Sequence, residues 1–486
     1  MKRATIALAS LVLGVPHLGC TRYSEKAHGD YLEYPESYPS SGREVPAPRS
    51  DEPRLDAEDV EQIEEMSEAL PSYESFGDPV LTALIQRALE ASPNVAATVS
   101  RIRMARAVAD QARAARFPVV MATAAATRSS AIQVFGRVDV RAINLSLPIR
   151  WELDLYGRYA SEHRAAKDLA EASELDYEAM QISLMASVAE AYMDLVGVRA
   201  ERALVEEQLA TNTQYLDLVT LRYETGLASI VDVHQQRQQV ATLEAQRDLL
   251  EGEEAVTANA LMIIVGDTSG NLDTGNRDTL PEVGEPPPQG VPAALFERRP
   301  DVRAAALRIE AADKRVRAAI VAQLPAVRLE FTPGYVTQRV ESSSGLFGGT
   351  VSGFQWTASA AADVAVFNGL LGPATAELRR AEVDQAVANY RQAFQNALIE
   401  VENAVVLDRQ QRQAIENLER QVQFAEETLN SARERYQAGL SDFLPVLTAL
   451  RTKQAAEQGL LAAKRNLVQL RIQLFRALGG VLEPEN

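Results

Sequence analysis

Few residue types in this chain are spaced for chemistry. The four histidines, His17, His28, His163 and His234, are scattered and show no metal-ligand spacing. A single cysteine, Cys20, excludes an intramolecular disulfide framework and any cysteine-based zinc cluster. No nucleophile motif, phosphate loop or Gly-x-Gly-x-x-Gly occurs. An enzyme is therefore not expected, nor any cofactor beyond a covalent lipid. The Arg298-Arg299-Pro300-Asp301 box has active-site residue types, but a proline in a first helical turn beside an acid is ordinary helix-start chemistry. One polar motif does recur. Arg222-Tyr223-Glu224-Thr225-Gly226 returns as Arg435-Tyr436-Gln437-Ala438-Gly439, 213 residues later. Glycine at the end of such a motif permits the left-handed conformation that closes a helix.

The elements that must carry these residues begin after an address. Met1-Lys2-Arg3 is a basic start, and Ala4–Val15 is an apolar run too short to span a bilayer, so residues 1–19 read as a secretory signal. Leu18-Gly19-Cys20 resembles a bacterial lipobox, with His17 where an aliphatic residue is usual. A lipid on Cys20 is the expectation; an ordinary signal with an incidental cysteine is the alternative, and both export the protein. Residues 20–70 then form a proline-containing acidic linker, in which 14 acidic and 5 basic residues from 21 to 70 leave half of the chain's net charge of −18. So little apolar surface cannot offset chain entropy, and an extended spacer is expected. That overall charge also argues against nucleic acid as a partner.

The body is one pattern written twice. Pro93 and Pro118 match Pro300 and Pro325 at an offset of 207, as Arg101 matches Arg308. The Arg-Tyr-x-x-Gly motifs, and Gly266 with Gly479, match at 213. We divide the chain into a first repeat at 71–280, a second at 281–480 and a tail at 481–486. Phe76–Phe117 has helical spacing. Ile143, Leu145, Leu147, Ile149, Trp151, Leu153 and Leu155 then alternate with polar residues, which reads as one amphipathic strand. Val327, Leu329 and Phe331, and more weakly Trp356 to Val366, repeat that alternation. Turn-rich tips are expected at Arg128–Asp139 and Ser342–Gly353. No proline occurs between Pro148 and Pro281 or between Pro373 and Pro445. Gly157 to Gly226 can therefore form one helix of about 100 Å, with Leu184, Val188, Ala191, Leu195, Val198, Val205 and Leu209 in heptad spacing broken by Arg202. Returning helices are expected at about 229–265 and 441–479.

Four membrane strands per chain cannot close a barrel, which needs an even number from eight upward. Three copies give 12 strands and a lumen, whereas an eight-stranded barrel fills with its own side chains. The expected fold is mainly α with membrane β: long antiparallel coiled-coil hairpins plus four strands per chain, joined in a trimeric 12-stranded barrel on a helical tunnel. A periplasmic coiled-coil scaffold without a pore is the structural rival, but a rod does not explain amphipathic strands at the same place in both repeats.

The residues Phe76-Gly77-Asp78-Pro79, Leu153-Asp154-Leu155-Tyr156-Gly157-Arg158, the Arg298–Asp301 box, Leu398-Ile399-Glu400-Val401-Glu402 and the two Arg-Tyr-x-x-Gly turns together resemble the TolC family. The likeness spans roughly residues 70–480 and is nearest to the OprM- and NodT-like lipoprotein branch. It implies the outer-membrane channel of a tripartite efflux pump, a passive exit duct for drugs or other small molecules. Implied partners are a periplasmic adaptor, an inner-membrane pump of RND type or an ABC exporter, two further copies of the chain, and outer-membrane lipid. A protein-secretion duct is the alternative within the same family. The resemblance also implies adaptor docking and gating contacts for Arg222, Tyr223, Gly226, Arg435, Tyr436 and Gly439. It places a constriction just after the second turn, where Leu444 fits. Pro445 and Thr448 stand where a carboxylate is expected, so Asp442 and Asp232 are the substitute gate candidates; a solvated acidic loop is the alternative for Asp442.

Overall fold

A computed structural model describes residues 76–133, 136–267, 272–286, 299–343 and 348–480. The signal, Cys20, the acidic linker, Arg298 and the tail at 481–486 lie outside the described residues. Within the described chain, one compact unit comprises residues 105–170 and 305–391, and the other comprises 76–104, 171–304 and 392–480. Each unit draws on both sequence repeats, so the duplication is built into each.

The first unit carries the strands. In chain order these are β1 (Val119–Val120), β2 (Thr123–Gln133), β3 (Gly136–Ser146), β4 (Ile149–Leu153), β5 (Ala326–Ser342) and β6 (Gly348–Asp363). Six segments stand where four strands are expected, but they follow four paths. β1 and β2 pair with β4 and β3, β3 and β4 share one edge of β5, and β6 runs antiparallel along the other. The expected single strand over 143–155 is broken at Leu147-Pro148, because a proline has no N–H for the ladder. Its neighbours absorb the break. Leu147 N–H donates to the Pro333 carbonyl at 2.9 Å, and Met121 N–H donates to the Pro148 carbonyl at 3.0 Å. Gly334 lies beside this break, where a Cβ would sit 2.8 Å from the Leu145 carbonyl oxygen. The loops are shorter than their composition suggests, since Arg128–Gln133 and Gly348–Gly353 belong to strands. Cross-strand hydrogen bonds along β3 and β5 override the weak strand preference of the serines and glycines there.

The second unit is helical at its core, and several of the helices begin or end in the first. The helical run expected over Phe76–Phe117 breaks at Ser92-Pro93 into α1 (Pro79–Ala91) and α2 (Pro93–Ala114). Proline disfavours helical geometry in the residue before it, and Ser92 is extended. The remaining helices are α3 (Arg158–Glu224), α4 (Ile230–Val265), α5 (Pro300–Val321), α6 (Leu371–Gln437) and α7 (Leu444–Ala477). α3 and α6 each hold 67 residues, about 100 Å at 1.5 Å per residue. Val188, Leu195, Val198 and Val205 are fully buried, as the heptad spacing requires. Arg202, which breaks it, pairs with Glu254.

Three polar anchors hold this core. Asp78 caps α1, its Oδ1 accepting from Val80 N–H at 2.9 Å, while Oδ2 accepts from the Tyr192 hydroxyl at 2.7 Å and Arg277 at 3.0 Å. Burial pushes the Asp78 carboxyl up, yet those hydrogen bonds outweigh it and leave its pKa below the ordinary value. Arg199 donates to the carbonyls of Thr274 and Gly275, and Arg412, 213 residues on, donates to those of Val283 and Gly284. The repeat thus straps the segment between its own halves twice. Asp408, wholly buried, pairs with Arg412 at 2.8 Å and Arg471 at 3.0 Å.

Candidate functional site

The two Arg-Tyr-x-x-Gly motifs close α3 and α6. Gly226 has φ +74° and Gly439 φ +71°, and no atom lies within 4 Å of a Cβ placed at either. Glycine is required there by the dihedral angle and not by space. The closing bonds are the same in both turns. Gly226 N–H donates to the Tyr223 carbonyl and Leu227 N–H to that of Arg222; Gly439 and Leu440 do likewise to Tyr436 and Arg435. The motif's spacing is therefore a helix-ending rule.

The side chains do not share this symmetry. The Arg222 guanidinium lies 4.3 Å from the centroid of the Tyr436 ring and donates to the Tyr436 carbonyl at 3.4 Å. The first motif's arginine is thus committed to the second motif's tyrosine. Tyr436 is buried among Val219, Val233, Leu429, Val446 and Leu447 and meets Phe443 at 5.5 Å between centroids. Burial pushes its phenol up, against the nearby Arg222 charge, and Asp232 adds to the rise. Tyr223 and Arg435 are exposed instead.

The carboxylates also differ. Asp232 completes a capping box, accepting from Ser229 N–H at 3.1 Å while the Ser229 hydroxyl accepts from Val231 N–H at 3.2 Å. This caps α4 and occupies the side chain. Asp442 is exposed, and the N-cap of α7 is Phe443, which makes no side-chain cap. Leu444 is exposed, and the Thr448 hydroxyl donates back to the Leu444 carbonyl at 2.8 Å. Of the gate residues expected from the sequence, Asp442 and Leu444 present uncommitted side chains.

Sequence reasoning missed two features of this end. Leu227, Ile230, Val231 and Leu440 are exposed apolar residues beside the turns. Their signal was a Gly-Leu pair in both repeats, where a turn ordinarily takes a polar residue. A buried amide layer lies further along the hairpins. Gln236 donates to Asn212 at 2.8 and 3.0 Å, Asn212 to the Gln208 carbonyl at 2.7 Å, and Gln208 to that of Gln454 at 3.3 Å. Such a layer fixes helix register at some cost in stability.

The sheet supplies a second candidate surface. Directly opposed residues share a face, so register places Leu145, Ile149, Trp151, Phe331, Tyr335, Phe354 and Trp356 together. All except Ile149 are exposed in the single chain. On the opposite face Arg150 pairs with Glu330 at 3.2 Å, and Arg328 reaches Glu152 at 3.4 Å and Asp363 at 3.0 Å. A sheet with one apolar and one ionic face, and open edges at β2 and β6, has the wall pattern of a membrane barrel. At its junction with α3, Asp154 caps the helix through the N–H groups of Tyr159 and Ala160, and Arg158 lies 4.3 Å over the Tyr159 ring. That accounts for the Leu153–Arg158 motif.

Residues 84–267 and 291–480 match the family described as outer membrane efflux protein. The chain is 28% identical over 462 residues to the pyoverdine export outer membrane protein OpmQ of Pseudomonas aeruginosa, covering 91% of each chain. It is 31% identical over 412 residues to the toluene efflux pump outer membrane protein TtgF of Pseudomonas putida, covering 83% of this chain and 84% of that one. Among solved structures, the outer-membrane channel OprN superposes with a TM-score of 0.77 at 28% identity, over 84% of this chain and 92% of that one. CusC gives 0.74 at 26%, over 83% and 92%. The chain belongs to the outer membrane efflux protein family and, with it, to the TolC- and OprM-type channels of the outer membrane.

Proposed function

We propose that this efflux-family channel acts as a trimer, three copies closing their four strand paths into a 12-stranded barrel continued by a helical tunnel. The observation that carries the reading is the sheet: four paths, two open edges, an apolar face and an ionic face. Open edges in lipid leave backbone groups unsatisfied, so each copy must find its neighbours. Twelve strands leave a lumen, which the ladder of Arg150, Glu330, Arg328, Glu152 and Asp363 lines. The duct performs no chemistry of its own.

The hairpin ends meet a periplasmic adaptor through the exposed Tyr223, Arg435, Leu227 and Leu440. Arg222 and Tyr436 hold the two hairpins of a copy together there. Asp442 and Leu444 form the constriction, with three Asp442 carboxylates favouring cations. An inner-membrane RND-type pump or ABC exporter supplies the energy, and a lipid on Cys20 adds a membrane anchor. The relatives' names span pyoverdine and toluene export, cargoes so unlike that selectivity resides with the pump and not the duct.

Planar bilayers test this. The purified protein is expected to conduct, and Asp442→Asn to lower the cation-to-anion permeability ratio. Absence of any conductance from correctly inserted protein contradicts the duct.

A further inference from the structure

Strand register sets three arginines in one row of the apolar face. Arg128 on β2 is opposite Arg141 on β3, Arg141 is opposite Arg339 on β5, and Arg339 is opposite Thr350 on β6. All three arginines are exposed, and with Thr337, Thr350 and Ile143 they line one open groove of about 490 Å³. Cβ atoms so opposed lie about 4.5–5.5 Å apart, where like charges repel. Among the described residues Arg128 and Arg141 have no carboxylate partner, and Arg339 has Glu341 at 2.9 Å in an exposed pair. One row nearer the β2–β3 and β5–β6 turns, Asp139 faces Glu341, and Arg137 lies beyond. The patch therefore keeps more positive than negative charge. Nothing within the fold gains from this row, which costs the sheet repulsion.

Its height on the wall explains it. On β5 the apolar rows of this face run from Val327 to Thr337, beside Leu153 at one end and Ile143 at the other. Ten residue steps at about 3.3 Å span roughly 33 Å along the strand. At the usual barrel tilt of about 35–45° this is about 25 Å of height, the apolar band of an outer-membrane barrel. The arginine row comes next, on the hairpin side, away from the ends that lead into helices. That is the headgroup level of the outer leaflet.

We propose that Arg128, Arg141 and Arg339 bind the phosphate groups of an anionic glycolipid of the outer leaflet. This rests on the barrel reading above. A guanidinium takes phosphate oxygens two at a time, and all three positions hold arginine and not lysine. A phosphate between opposed arginines replaces repulsion by attraction. The groove opens directly onto Ile143, Leu145, Tyr335 and Phe354, an apolar surface for acyl chains that inorganic phosphate cannot use.

Native mass spectrometry of the detergent-extracted protein tests the site, with lipid A (a bisphosphorylated, acylated disaccharide) as the probe. Wild type is expected to retain lipid A at least tenfold more tightly than the same lipid with its phosphates removed, a comparison that needs no variant. The triple variant Arg128→Gln, Arg141→Gln, Arg339→Gln is expected to lose that preference, and the single variant Arg328→Gln, on the ionic face, to keep it. Inorganic phosphate alone is expected to give no retained adduct and no competition at equal concentration. Equal retention of both lipids by wild type overturns the site, as does full competition by inorganic phosphate. A monomer mass for wild type overturns the barrel reading and the site with it, whereas a trimer indifferent to the phosphates overturns the site alone.

Discussion

The two Arg-Tyr-x-x-Gly motifs have the same sequence pattern and the same turn, yet the structure gives their arginines different work. Removing the Arg222 charge as Arg222→Gln breaks the stacking of a half-buried guanidinium, 4.3 Å from the Tyr436 centroid, on a ring that is 5% exposed. A cation–π contact contributes about 0.5–1 kcal/mol when exposed and about 2 when desolvated. The half-buried geometry falls between, and the hydrogen bond at 3.4 Å is too long to add much. A loss of about 1 kcal/mol corresponds to roughly a fivefold larger population of the locally opened tip. Hydrogen exchange reads that population directly. Amides from Tyr436 to Leu444 are expected to exchange about fivefold faster in Arg222→Gln, and to be unchanged in Arg435→Gln. A double-mutant cycle with Tyr436→Leu is expected to return a coupling of about 1 kcal/mol. If Arg435→Gln loosens the tip as much as Arg222→Gln, or the cycle shows no coupling, the clamp does not exist.

Other substitutions probe the scaffold. Asp78→Asn removes the acceptor for Tyr192 and Arg277 and is expected to destabilise the fold by about 1–3 kcal/mol in thermal melts. Because the folded pKa of Asp78 is lowered, its contribution is complete above the unfolded value near 3.9 and is lost as pH falls below it. The difference between wild type and Asp78→Asn should therefore shrink in acid melts below about pH 4; a constant difference down to pH 2 contradicts the assignment. Asp408→Asn leaves Arg471 buried without its charge partner, which costs about 3–5 kcal/mol; a loss below about 1 kcal/mol in denaturant melts would show that the pair is hydrated. Gly334→Val forces a side chain into the Leu145 carbonyl, so the yield of membrane-assembled protein should fall sharply, while Gly353→Ala, where a Cβ meets nothing within 4 Å, should assemble normally.

Much of this architecture was legible because periodicity survives in sequence. Val188, Leu195, Val198 and Val205 are spaced in heptads and all four are buried, the first two in one core cluster and the last two in another. Gly226 and Gly439 mark helix ends because left-handed backbone selects glycine almost alone. Elements failed where a neighbour decided the outcome. The strand over 143–155 splits because Pro148 cannot donate, and its pairing is rescued only by Pro333 and Met121 from distant segments. Arg128–Gln133 reads as a loop by composition, yet β3 holds it in register. At the tip, the sequence singled out the two repeated motifs but not the different contacts their side chains make. Arg222 lies over Tyr436, and Asp232 caps its own helix, through contacts between hairpins 200 residues apart or through local cap geometry. A motif read one residue at a time carries neither.

The central claim is that four strand paths per chain are completed by other copies. The most direct measurement is the oligomer mass of protein extracted in detergent from a fractionated outer membrane. Three copies of the 53.0 kDa chain, less any processed signal, are expected in a single species. A monomer that stays soluble without detergent would contradict barrel closure and the duct built on it.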